Sequence, residues 1–336
     1  MTALPAAPRK VLVMELAGLG DNVHLIPALW LVRRQWPDAQ LHLMVNAHVE
    51  SLFKVTPWVD RIWAYPSSPK PGLRGNLRWV QDLRRERFDV VINTTGSDRS
   101  SLLTRATGAP IRIGRLPSDG GPPGWRLLYT AVMEERFHGE PMYVQKWRCL
   151  RSVGIGADRP EPEFPVTLDP AARRAAGIEP GDEKRYVHVS PFTTADEREL
   201  PAQQVAEIVA GLRHAHPHLR IALSCAATER ERARMQALLL TLREPPWRVY
   251  AGTLDAAALA AVIQACAVSL SGDTGSLHLA MMTRAPAVAW FRTHKGEKEW
   301  IPHGDRYRVL IAEGGERDAL HGISTRAVLD AVKEVL

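Results

Sequence analysis

Residues 271–280 read SGDTGSLHLA and place a carboxylate, hydroxyls and a histidine beside small residues. The letters Asp-Thr-Gly-Ser also surround each catalytic aspartate of pepsin-like proteases, in which two carboxylates share one proton. The chain contains one Asp-Thr-Gly, and helix-like and strand-like segments alternate around it, so the sequence argues against an aspartic protease. A strand, a small-residue turn and a helix start instead expose backbone N–H groups that suit a diphosphate.

The side chains of this turn allow two interpretations. In the first, Asp273 or Ser276 is only a helix N-cap, which stabilises by about 1 kcal/mol. In the second, the turn binds a ligand, and His278, two residues into the predicted helix, adds a donor. Because a carboxylate repels phosphate, Asp273 is then expected to face neutral hydroxyls, such as those of a sugar.

The first strand-to-helix turn, ELAGLGDN, carries another candidate carboxylate. Gly18 and Gly20 fit the first two glycines of G-x-G-x-x-G, but Val23 occupies the third position and no acidic residue ends the next strand, so a dinucleotide site is weakly supported. Asp21 stands where the chain enters the helix. It either offsets the positive helix end or acts as a general base that takes a proton from an attacking hydroxyl.

Two more segments place polar groups after predicted strands. In SPFTTADERELP, Thr193 and Thr194 offer hydroxyl and backbone donors, and Arg198 either neutralises a diphosphate leaving group or forms a surface salt bridge with a neighbouring Glu. In TERERA, Glu229 either accepts hydrogen bonds from a ribose or favours the helix N-terminus. The histidines of HAHPH, residues 214–218, match no metal-ligand spacing and are expected to be solvated or to cap a helix end.

These segments need a scaffold of alternating strands and helices. Strands are predicted over residues 11–15, 41–45, 62–65, 90–93, 186–190, 221–225, 248–250, 268–271 and 287–291. Helices are predicted over residues 23–35, 73–87, 201–214, 228–242, 255–265, 276–282 and 324–336.

This alternation is typical of parallel sheets and predicts an α/β protein of two domains, residues 1–165 and 166–322. An exposed loop is expected at 117–124, and a proline-rich linker at 160–170. A cleft between the carboxyl ends of the two sheets would bind the ligand. The terminal helix, 323–336, is expected to pack back on the first domain.

The composition limits the partners and the compartment. With 336 residues, 45% hydrophobic and 24% charged, the chain is an ordinary globular protein without a membrane-span-length apolar run. The first residues, MTALPAAPRK, lack the apolar core of a secretory signal, and the three cysteines lack disulfide or metal spacing, so a cytoplasmic location is expected. Residues 1–160 contain 22 Lys and Arg against 14 Asp and Glu. This excess indicates either a solvated basic surface or an anionic partner; no nucleic-acid module is recognisable.

Taken together, the segments resemble bacterial heptosyltransferases, the ADP-heptose:lipopolysaccharide enzymes of glycosyltransferase family 9. Four motifs match in chain order over most of the sequence: GD followed by PAL at 20–29, SPFTT followed by RELP at 190–201, E-x-x-R-A at 229–233, and DTG followed by HLA at 273–280. The chain departs at Arg198 and Leu200, where many members have Lys and Trp. Arginine keeps the charge but changes its geometry.

The resemblance implies a GT-B fold of two Rossmann-like domains facing an interdomain cleft, and inverting transfer of heptose from ADP-heptose to a lipopolysaccharide inner-core acceptor, without metal or cofactor. It implies that Asp21 is the general base and that Arg198 assists the leaving group. Glu15 and Asp98 are alternative bases, because their positions near strand ends would also reach the cleft. Gly20 and Asn22 are expected at the acceptor. Donor-binding residues are expected to be Thr193, Thr194, Glu229, Gly272, Asp273, Thr274, Gly275 and His278.

Several alternatives stay open at the level of sequence. The chain could use another nucleotide sugar or another acceptor, or it could bind a sugar nucleotide or phosphoglycan without turnover. A nucleotide-sugar epimerase of similar two-domain build is a further enzyme alternative. A lipopolysaccharide acceptor would place the protein in peripheral contact with the cytoplasmic face of the inner membrane.

Overall fold

The computed structural model describes residues 4–66, 72–116, 122–133, 139–158, 163–293, 297–312 and 319–336. The chain divides into two compact units, Met1–Thr167 and Leu168–Leu336. The division falls two residues beyond the predicted boundary. Thr167 still belongs to the first unit because its backbone N–H donates to the Val55 carbonyl at 2.9 Å. The predicted loop and linker lie partly outside the described residues, at 117–121 and 160–162.

The first unit is built on a six-stranded sheet. Its strands are β1 Lys10–Glu15, β2 Gln40–Asn46, β3 Arg61–Tyr65, β4 Val90–Asn93, β5 Ile111–Gly114 and β6 Ala131–Val132. They lie in the order β3-β2-β1-β4-β5-β6, and every pair is parallel. Continuous apolar runs such as VLVM in β1 are buried because helices cover both faces of a parallel sheet.

Within the described residues of this unit, four helices cover the sheet. They are α1 Leu19–Gln35, α2 Leu73–Glu86, α3 Asp98–Ala106 and α4 Met142–Ser152, with 3₁₀ turns at Ala47–Val55 and Trp125–Leu128. Helix α1 packs against α4. Helices α2 and α3 contribute Leu83 and Leu103 to one apolar cluster with β-strand residues such as Leu12 and Val91. The strands β5 and β6 and the helices α3 and α4 were not predicted.

The second unit repeats the architecture. Its strands are β7 Tyr186–Ser190, β8 Arg220–Cys225, β9 Arg248–Ala251, β10 Val268–Gly272, β11 Ala287–Arg292 and β12 Tyr307–Ala312. The order β12-β11-β10-β7-β8-β9 is again fully parallel. Read from β9, it is the order 3-2-1-4-5-6 of the first sheet, which is the doubly wound Rossmann topology. The predicted α/β class with two Rossmann-like domains is confirmed.

The helices of the second unit are α5 Pro170–Ala175, α6 Ala202–Ala215, α7 Glu229–Thr241, α8 Ala256–Ala265, α9 Gly275–Thr283, α10 Glu297–Trp300 and α11 Thr325–Val335, with 3₁₀ turns at Asp196–Arg198 and Ala319–Gly322. Among them, α5 and α10 were not predicted, nor was β12. No helix in the described ranges has both the length and the apolarity to cross a membrane.

The terminal helix corrects an expectation. Helix α11 packs against α6, β11 and β12, so it belongs to the second unit. Its apolar stripe of Val328, Ala331 and Val332 joins a core cluster containing Val209 and Leu212 of α6. The predicted return to the first domain is therefore wrong, because the buried face of α11 is already used within its own unit.

Candidate functional site

Each sheet has a switch point, where the strand order reverses and a crevice opens at the carboxyl ends of two neighbouring strands. In the first unit this point lies between β1 and β4, and in the second between β7 and β10. Three of the four motif segments, ELAGLGDN, SPFTTADERELP and SGDTGSLHLA, follow β1, β7 and β10. The fourth, TERERA, follows the neighbouring strand β8.

A buried carboxylate ends β1. Glu15 is 1% exposed, and its two oxygens accept hydrogen bonds from the hydroxyls of Thr94 at 2.7 Å and Thr95 at 3.1 Å. The Thr95 hydroxyl also accepts from the backbone N–H of Leu16 at 2.7 Å. Both threonines directly follow β4, so this network ties the two strand ends of the switch point together.

A lysine from α4 completes the network. The Lys146 ammonium is 2.5 Å from a Glu15 carboxylate oxygen and 3.8 Å from a carboxylate oxygen of Asp21. The Lys146 side chain is 6% exposed, whereas that of Asp21 is 35% exposed. Lysine therefore lies between a buried acid and an accessible one. Of the two carboxylates, Asp21 is the one that a ligand in the crevice can reach.

The turn before Asp21 is held by local hydrogen bonds. Gly18 is the N-cap of α1, so Asp21 is the third helical residue. Asn22 is fully buried, and its amide donates to the carbonyls of Ala17 at 3.2 Å and Gly18 at 2.8 Å. The structure thus gives Asn22 a part in shaping the turn, while the expected acceptor contact of Asn22 and of half-buried Gly20 stays a prediction.

The alternative bases differ in access. Glu15 is buried and paired with Lys146, so it is poorly placed to take a proton from a substrate. Asp98 is exposed and is the first residue of α3, which follows β4. Asp98 therefore lies at the same edge of the sheet as Asp21, and it serves as a matched control for that residue.

The turn between β10 and α9 uses a different cap from either of those expected. Thr274 is the N-cap of α9, and its hydroxyl accepts from the backbone N–H of Ser276 at 3.2 Å. Gly272 ends β10, and a Cβ there would lie 2.9 Å from the Arg198 carbonyl oxygen and 2.9 Å from the indole nitrogen of Trp290. Glycine is therefore required for the chain at Arg198 to approach the end of β10.

Two predicted site residues in the second unit pair with each other. The Arg198 guanidinium donates to a carboxylate oxygen of Asp273 at 3.0 Å, and their side chains are 35% and 12% exposed. The positive charge of Arg198 offsets the negative charge of Asp273, which lessens the repulsion that made this carboxylate unexpected beside an anion site. The expected contacts of Arg198 with a diphosphate and of Asp273 with sugar hydroxyls stay predictions.

The loop that carries Arg198 is anchored to α7 by a buried carboxylate. The side chain of Glu199 is 1% exposed and pairs with Arg230 at 2.9 Å and Arg234 at 2.7 Å. Glu199 also accepts from the backbone N–H of Thr193 at 2.8 Å, and Arg230 donates to the Thr193 carbonyl at 2.7 Å. Asp196 is a further partner of Arg230.

The remaining predicted donor residues lie around the same crevice edge. Thr193 is buried, and its hydroxyl donates to the Ala195 carbonyl at 2.6 Å, whereas Thr194 is exposed. Gly275 and exposed Glu229 are the first residues of α9 and α7. His278 is 4% exposed, with its ring centroid 5.3 Å from that of Trp300. Their ligand contacts stay predictions.

The sequence interpretation missed the residues that hold the others in place. Lys146 lies in an unpredicted helix, and nothing in MYVQKWRCLRS distinguishes it from a surface lysine. Glu199 lies in SPFTTADERELP and Arg230 lies in TERERA, so both were in segments already singled out. The one sequence feature that could have suggested their ion pair is an acid-rich loop together with an arginine-rich start of α7. Local sequence cannot show that these two segments meet.

Comparison with known proteins identifies the family. Residues 76–322, nearly three quarters of the chain, match the model of glycosyltransferase family 9 (heptosyltransferase). A lipopolysaccharide core heptosyltransferase, OpsX of Haemophilus influenzae, is 21% identical over 88% of this chain and 82% of its own length.

Solved structures share the fold. The family 9 glycosyltransferase of Veillonella parvula has a TM-score of 0.83 and 18% identity, covering 99% of this chain and 98% of that one. E. coli heptosyltransferase WaaC with ADP has a TM-score of 0.77 and 18% identity, covering 97% of this chain and all of that one. The two Rossmann-like units are of the GT-B class to which these enzymes belong. The chain is an enzyme and belongs to glycosyltransferase family 9 (heptosyltransferase).

Proposed function

We propose that this protein transfers a heptose from ADP-heptose to a lipopolysaccharide inner-core acceptor with inversion, and that Asp21 is the general base. The observation that carries the proposal is the position of Asp21: an accessible carboxylate at the switch point of the first sheet, 3.8 Å from the buried ammonium of Lys146. Support for the donor and acceptor comes from relatives named as lipopolysaccharide heptosyltransferases and from a structural neighbour that holds ADP.

Lys146 has a positioning role in this proposal. Its ammonium is fixed by Glu15, which is itself fixed by two threonine hydroxyls. A charge held in this way favours one orientation of the Asp21 carboxylate, and a base is effective only within hydrogen-bond reach of the proton that it removes. Glu15 is therefore a support for the base.

The second unit supplies the donor site in the proposed reaction. The N-terminal amides of α9 and the guanidinium of Arg198 suit a diphosphate, because helix N-termini and arginine both stabilise negative charge. Arg198 can contact Asp273 and a phosphate oxygen at once, since a guanidinium carries five N–H donors. Asp273 would then orient Arg198, and the exposed hydroxyl of Thr194 and carboxylate of Glu229 would contact phosphate and ribose.

The proposed step balances in atoms and charge. An acceptor hydroxyl attacks the anomeric carbon from the face opposite the diphosphate, forming the new C–O bond while the C–O bond to the diphosphate breaks. The leaving ADP takes the bonding electron pair, and Asp21 takes the hydroxyl proton. Arg198 and the α9 amides stabilise the charge that develops on the departing oxygen. The chain's own groups supply these roles, so we propose no metal or cofactor.

Two measurements test this function. Purified protein is screened for thermal stabilisation by ADP-heptose and by uridine-linked sugars, and transfer is then measured on truncated lipopolysaccharide with the anomeric configuration of the product determined. ADP-heptose is expected to stabilise the protein and to give an inverted product. Stabilisation by a uridine sugar alone would overturn the donor assignment, and release of free sugar without acceptor would indicate epimerase-type chemistry.

The role of Asp21 needs its own variant. Asp21→Asn is expected to lower kcat by a factor on the order of 10²–10⁴, the usual contribution of a positioned general base, with little change in donor affinity. Asp98→Asn removes an exposed carboxylate at the same sheet edge and should leave kcat near the wild-type value. Near-normal transfer by Asp21→Asn would remove Asp21 from the role of base, whatever the donor.

A lipopolysaccharide acceptor has a further consequence. Such an acceptor is anchored by acyl chains, so we propose that the protein acts in the cytoplasm at the face of the inner membrane. The basic excess of the first 160 residues is consistent with an anionic acceptor bound by the first unit.

A further inference from the structure

Helices α2 and α3 cover one face of the first sheet, and the turn Trp125–Leu128 contacts α3. Leu83 of α2 and Leu103 of α3 belong to the same apolar cluster as residues of β1 and β4, so both helices pack on that face. Helix α3 contacts both α2 and the turn. We call these three segments the α2–α3 layer; its outer side is open to solvent.

Exposed apolar side chains concentrate on this layer. Leu77 of α2 and Leu102 of α3 are each 53% exposed, and Leu127 of the turn is 80% exposed. Among the described residues of the first unit, no other large apolar side chain is exposed to that degree. Scattered surface leucines need no explanation, but three on one contiguous layer mark an interaction surface.

The same layer is strongly basic. Its segments and the connections next to them, residues 72–110 and 122–128, carry eight exposed arginines and two exposed acids. The arginines are Arg74, Arg78, Arg84, Arg85, Arg87, Arg99, Arg105 and Arg126, and the acids are Asp82 and Asp98. Arg85 pairs with Asp82, and the exposed arginines of these segments outnumber the exposed acids eight to two.

We propose that the α2–α3 layer docks the protein on an anionic phospholipid surface. Leucines and arginines exposed on one layer suit the membrane interface, where the apolar side chains enter the acyl boundary and the guanidinium groups contact lipid phosphates. A soluble polyanion would use the arginines and would not require the leucines. The combination of both on one layer therefore favours a bilayer as the partner.

The position of the layer agrees with the proposed reaction, on which this part of the inference rests. Helices α2 and α3 follow β3 and β4, so both begin at the carboxyl edge of the sheet, the edge that carries Asp21. Leu77 and Leu102 are each the fifth residue of their helix, only about 6 Å along the helix axis from that edge. Docking through these leucines keeps the edge close to a lipid-borne acceptor.

The test measures binding of the full chain to vesicles by sedimentation, with no donor or acceptor present. One set of vesicles contains phosphatidylcholine alone. The other also contains about 30% phosphatidylglycerol, whose negative charge attracts basic segments. Binding is expected on the anionic vesicles and at least about tenfold weaker on the neutral ones. Equal binding to both compositions would overturn the electrostatic part of the proposal.

Two sets of variants separate the contributions. The leucine variant combines Leu77→Ser, Leu102→Ser and Leu127→Ser, and the arginine variant combines Arg74→Glu, Arg78→Glu and Arg105→Glu. Each is expected to weaken vesicle binding at least about tenfold, because a few apolar and basic groups carry most of the affinity for an anionic bilayer. Leu240→Ser is the control, since Leu240 is 89% exposed but lies on α7 of the second unit. An unchanged thermal unfolding midpoint shows that each variant is folded.

The outcomes are distinct. If the leucine variant binds the vesicles like the wild type while the arginine variant does not, the attachment is electrostatic alone and the proposed entry of the leucines into the acyl boundary is wrong. If Leu240→Ser weakens binding as much as the leucine variant, the α2–α3 layer is not the docking surface. Because these vesicles contain no acceptor, failure of the proposed transferase reaction would leave the binding result intact.

Transfer to a lipid-free acceptor should be unchanged in the leucine variant, and transfer to a vesicle-borne acceptor should fall.

Discussion

The two switch points have the same strand order but opposite construction. At the first, a buried ion pair of Glu15 and Lys146 supports an accessible aspartate. At the second, a turn of small residues ends in a helix N-terminus, and an arginine half exposed to solvent pairs with Asp273. Carboxylates and a lysine suit proton transfer, whereas amides and arginine suit an anion, so one topology carries two different chemistries.

The two sites also differ in how far their parts are separated along the chain. Lys146 and Glu15 are 131 residues apart, whereas Thr274 caps Ser276 two residues away. A site assembled from distant, buried charges is sensitive to the loss of either partner, because the other is left uncompensated. The local cap of α9 loses less when one side chain is removed, even though the Arg198–Asp273 pair of the same site spans 75 residues.

The largest expected effect tests this difference at the first switch point. Lys146→Met leaves Glu15 buried without its counter-ion and should lower the free energy of unfolding by about 3–5 kcal/mol, measured by urea denaturation. Adding Glu15→Gln removes the stranded charge and keeps an acceptor for the threonines, so most of the loss should be recovered. Transfer should stay impaired in the double variant, because Asp21 still lacks its ammonium.

A control for that prediction is the more exposed pair of Lys10 and Glu86, whose side chains are 30% and 16% exposed. Lys10→Met should cost no more than about 1 kcal/mol, as for other surface ion pairs. If Lys146→Met and Lys10→Met cost the same, the burial of the Glu15 pair has no special energetic weight and the comparison of the two switch points fails.

The second largest effect concerns a histidine that is buried in the second sheet. His188 of β7 is fully buried between the hydroxyls of Ser269 at 2.9 Å and Ser224 at 2.8 Å. Desolvation lowers the pKa of His188 from 6.5 to about 3. The unfolded chain therefore takes up a proton below pH 6.5 that the folded chain refuses, so this contribution to stability is complete above pH 6.5 and is lost as the pH falls toward 3.

The expected loss from His188 is about 2 kcal/mol on going from pH 7.5 to pH 5, at about 1.4 kcal/mol for each pH unit below 6.5. Urea denaturation at both pH values measures it, with His188→Asn as the comparison. The variant is less stable at neutral pH but should show a shallower fall toward acid. Parallel pH profiles for the two proteins would show that the histidine is protonated equally in both states.

Much of this architecture could be predicted from sequence. Apolar runs such as VLVM and a small-residue turn such as GDTG fixed the positions of β1, β10 and α9 to within a few residues, since these signals are local. The four motifs in order indicated the family and two Rossmann-like domains. The short strands β5 and β6 were missed because four and two residues carry too little pattern.

The contacts that organise the site were not predictable, for a physical reason. Arg198 and Asp273 are 75 residues apart, and no local pattern tells a ligand-facing arginine from one that pairs with an aspartate. The sequence predicted Asp273 or Ser276 as the N-cap of α9, whereas the N-cap is Thr274, which lies between them. Sequence alone does not distinguish among neighbouring polar residues as the cap. Likewise, the apolar stripe of α11 showed that the helix is buried but not against which unit.

The third prediction separates donor binding from stability at the second switch point. Arg198→Ala should weaken donor affinity roughly tenfold, about 1.5 kcal/mol, because it removes one charged hydrogen bond to the diphosphate. Its cost in unfolding free energy should stay below about 1 kcal/mol, as for a partly exposed pair. Arg308→Ala is a matched control, since Arg308 is also 35% exposed and pairs with Glu334 in the same unit. Equal donor affinity in both variants would mean that Arg198 stabilises the fold and does not bind the donor.

The smallest effect concerns the cap of α9. Thr274→Ala removes the hydroxyl that accepts from the Ser276 N–H, and should lower the free energy of unfolding by about 1 kcal/mol. Thr274→Ser keeps the hydroxyl and should restore stability. Ser324→Ala removes the equivalent cap of α11, which accepts from the Ala327 N–H at 3.1 Å, and should cost a similar amount. If the start of α9 binds the diphosphate, Thr274→Ala also weakens donor affinity in isothermal titration while Ser324→Ala does not. Equal donor affinity in these two variants would mean that the α9 N-terminus contributes only a helix end, and that the anion-binding character of the second switch point lies with Arg198.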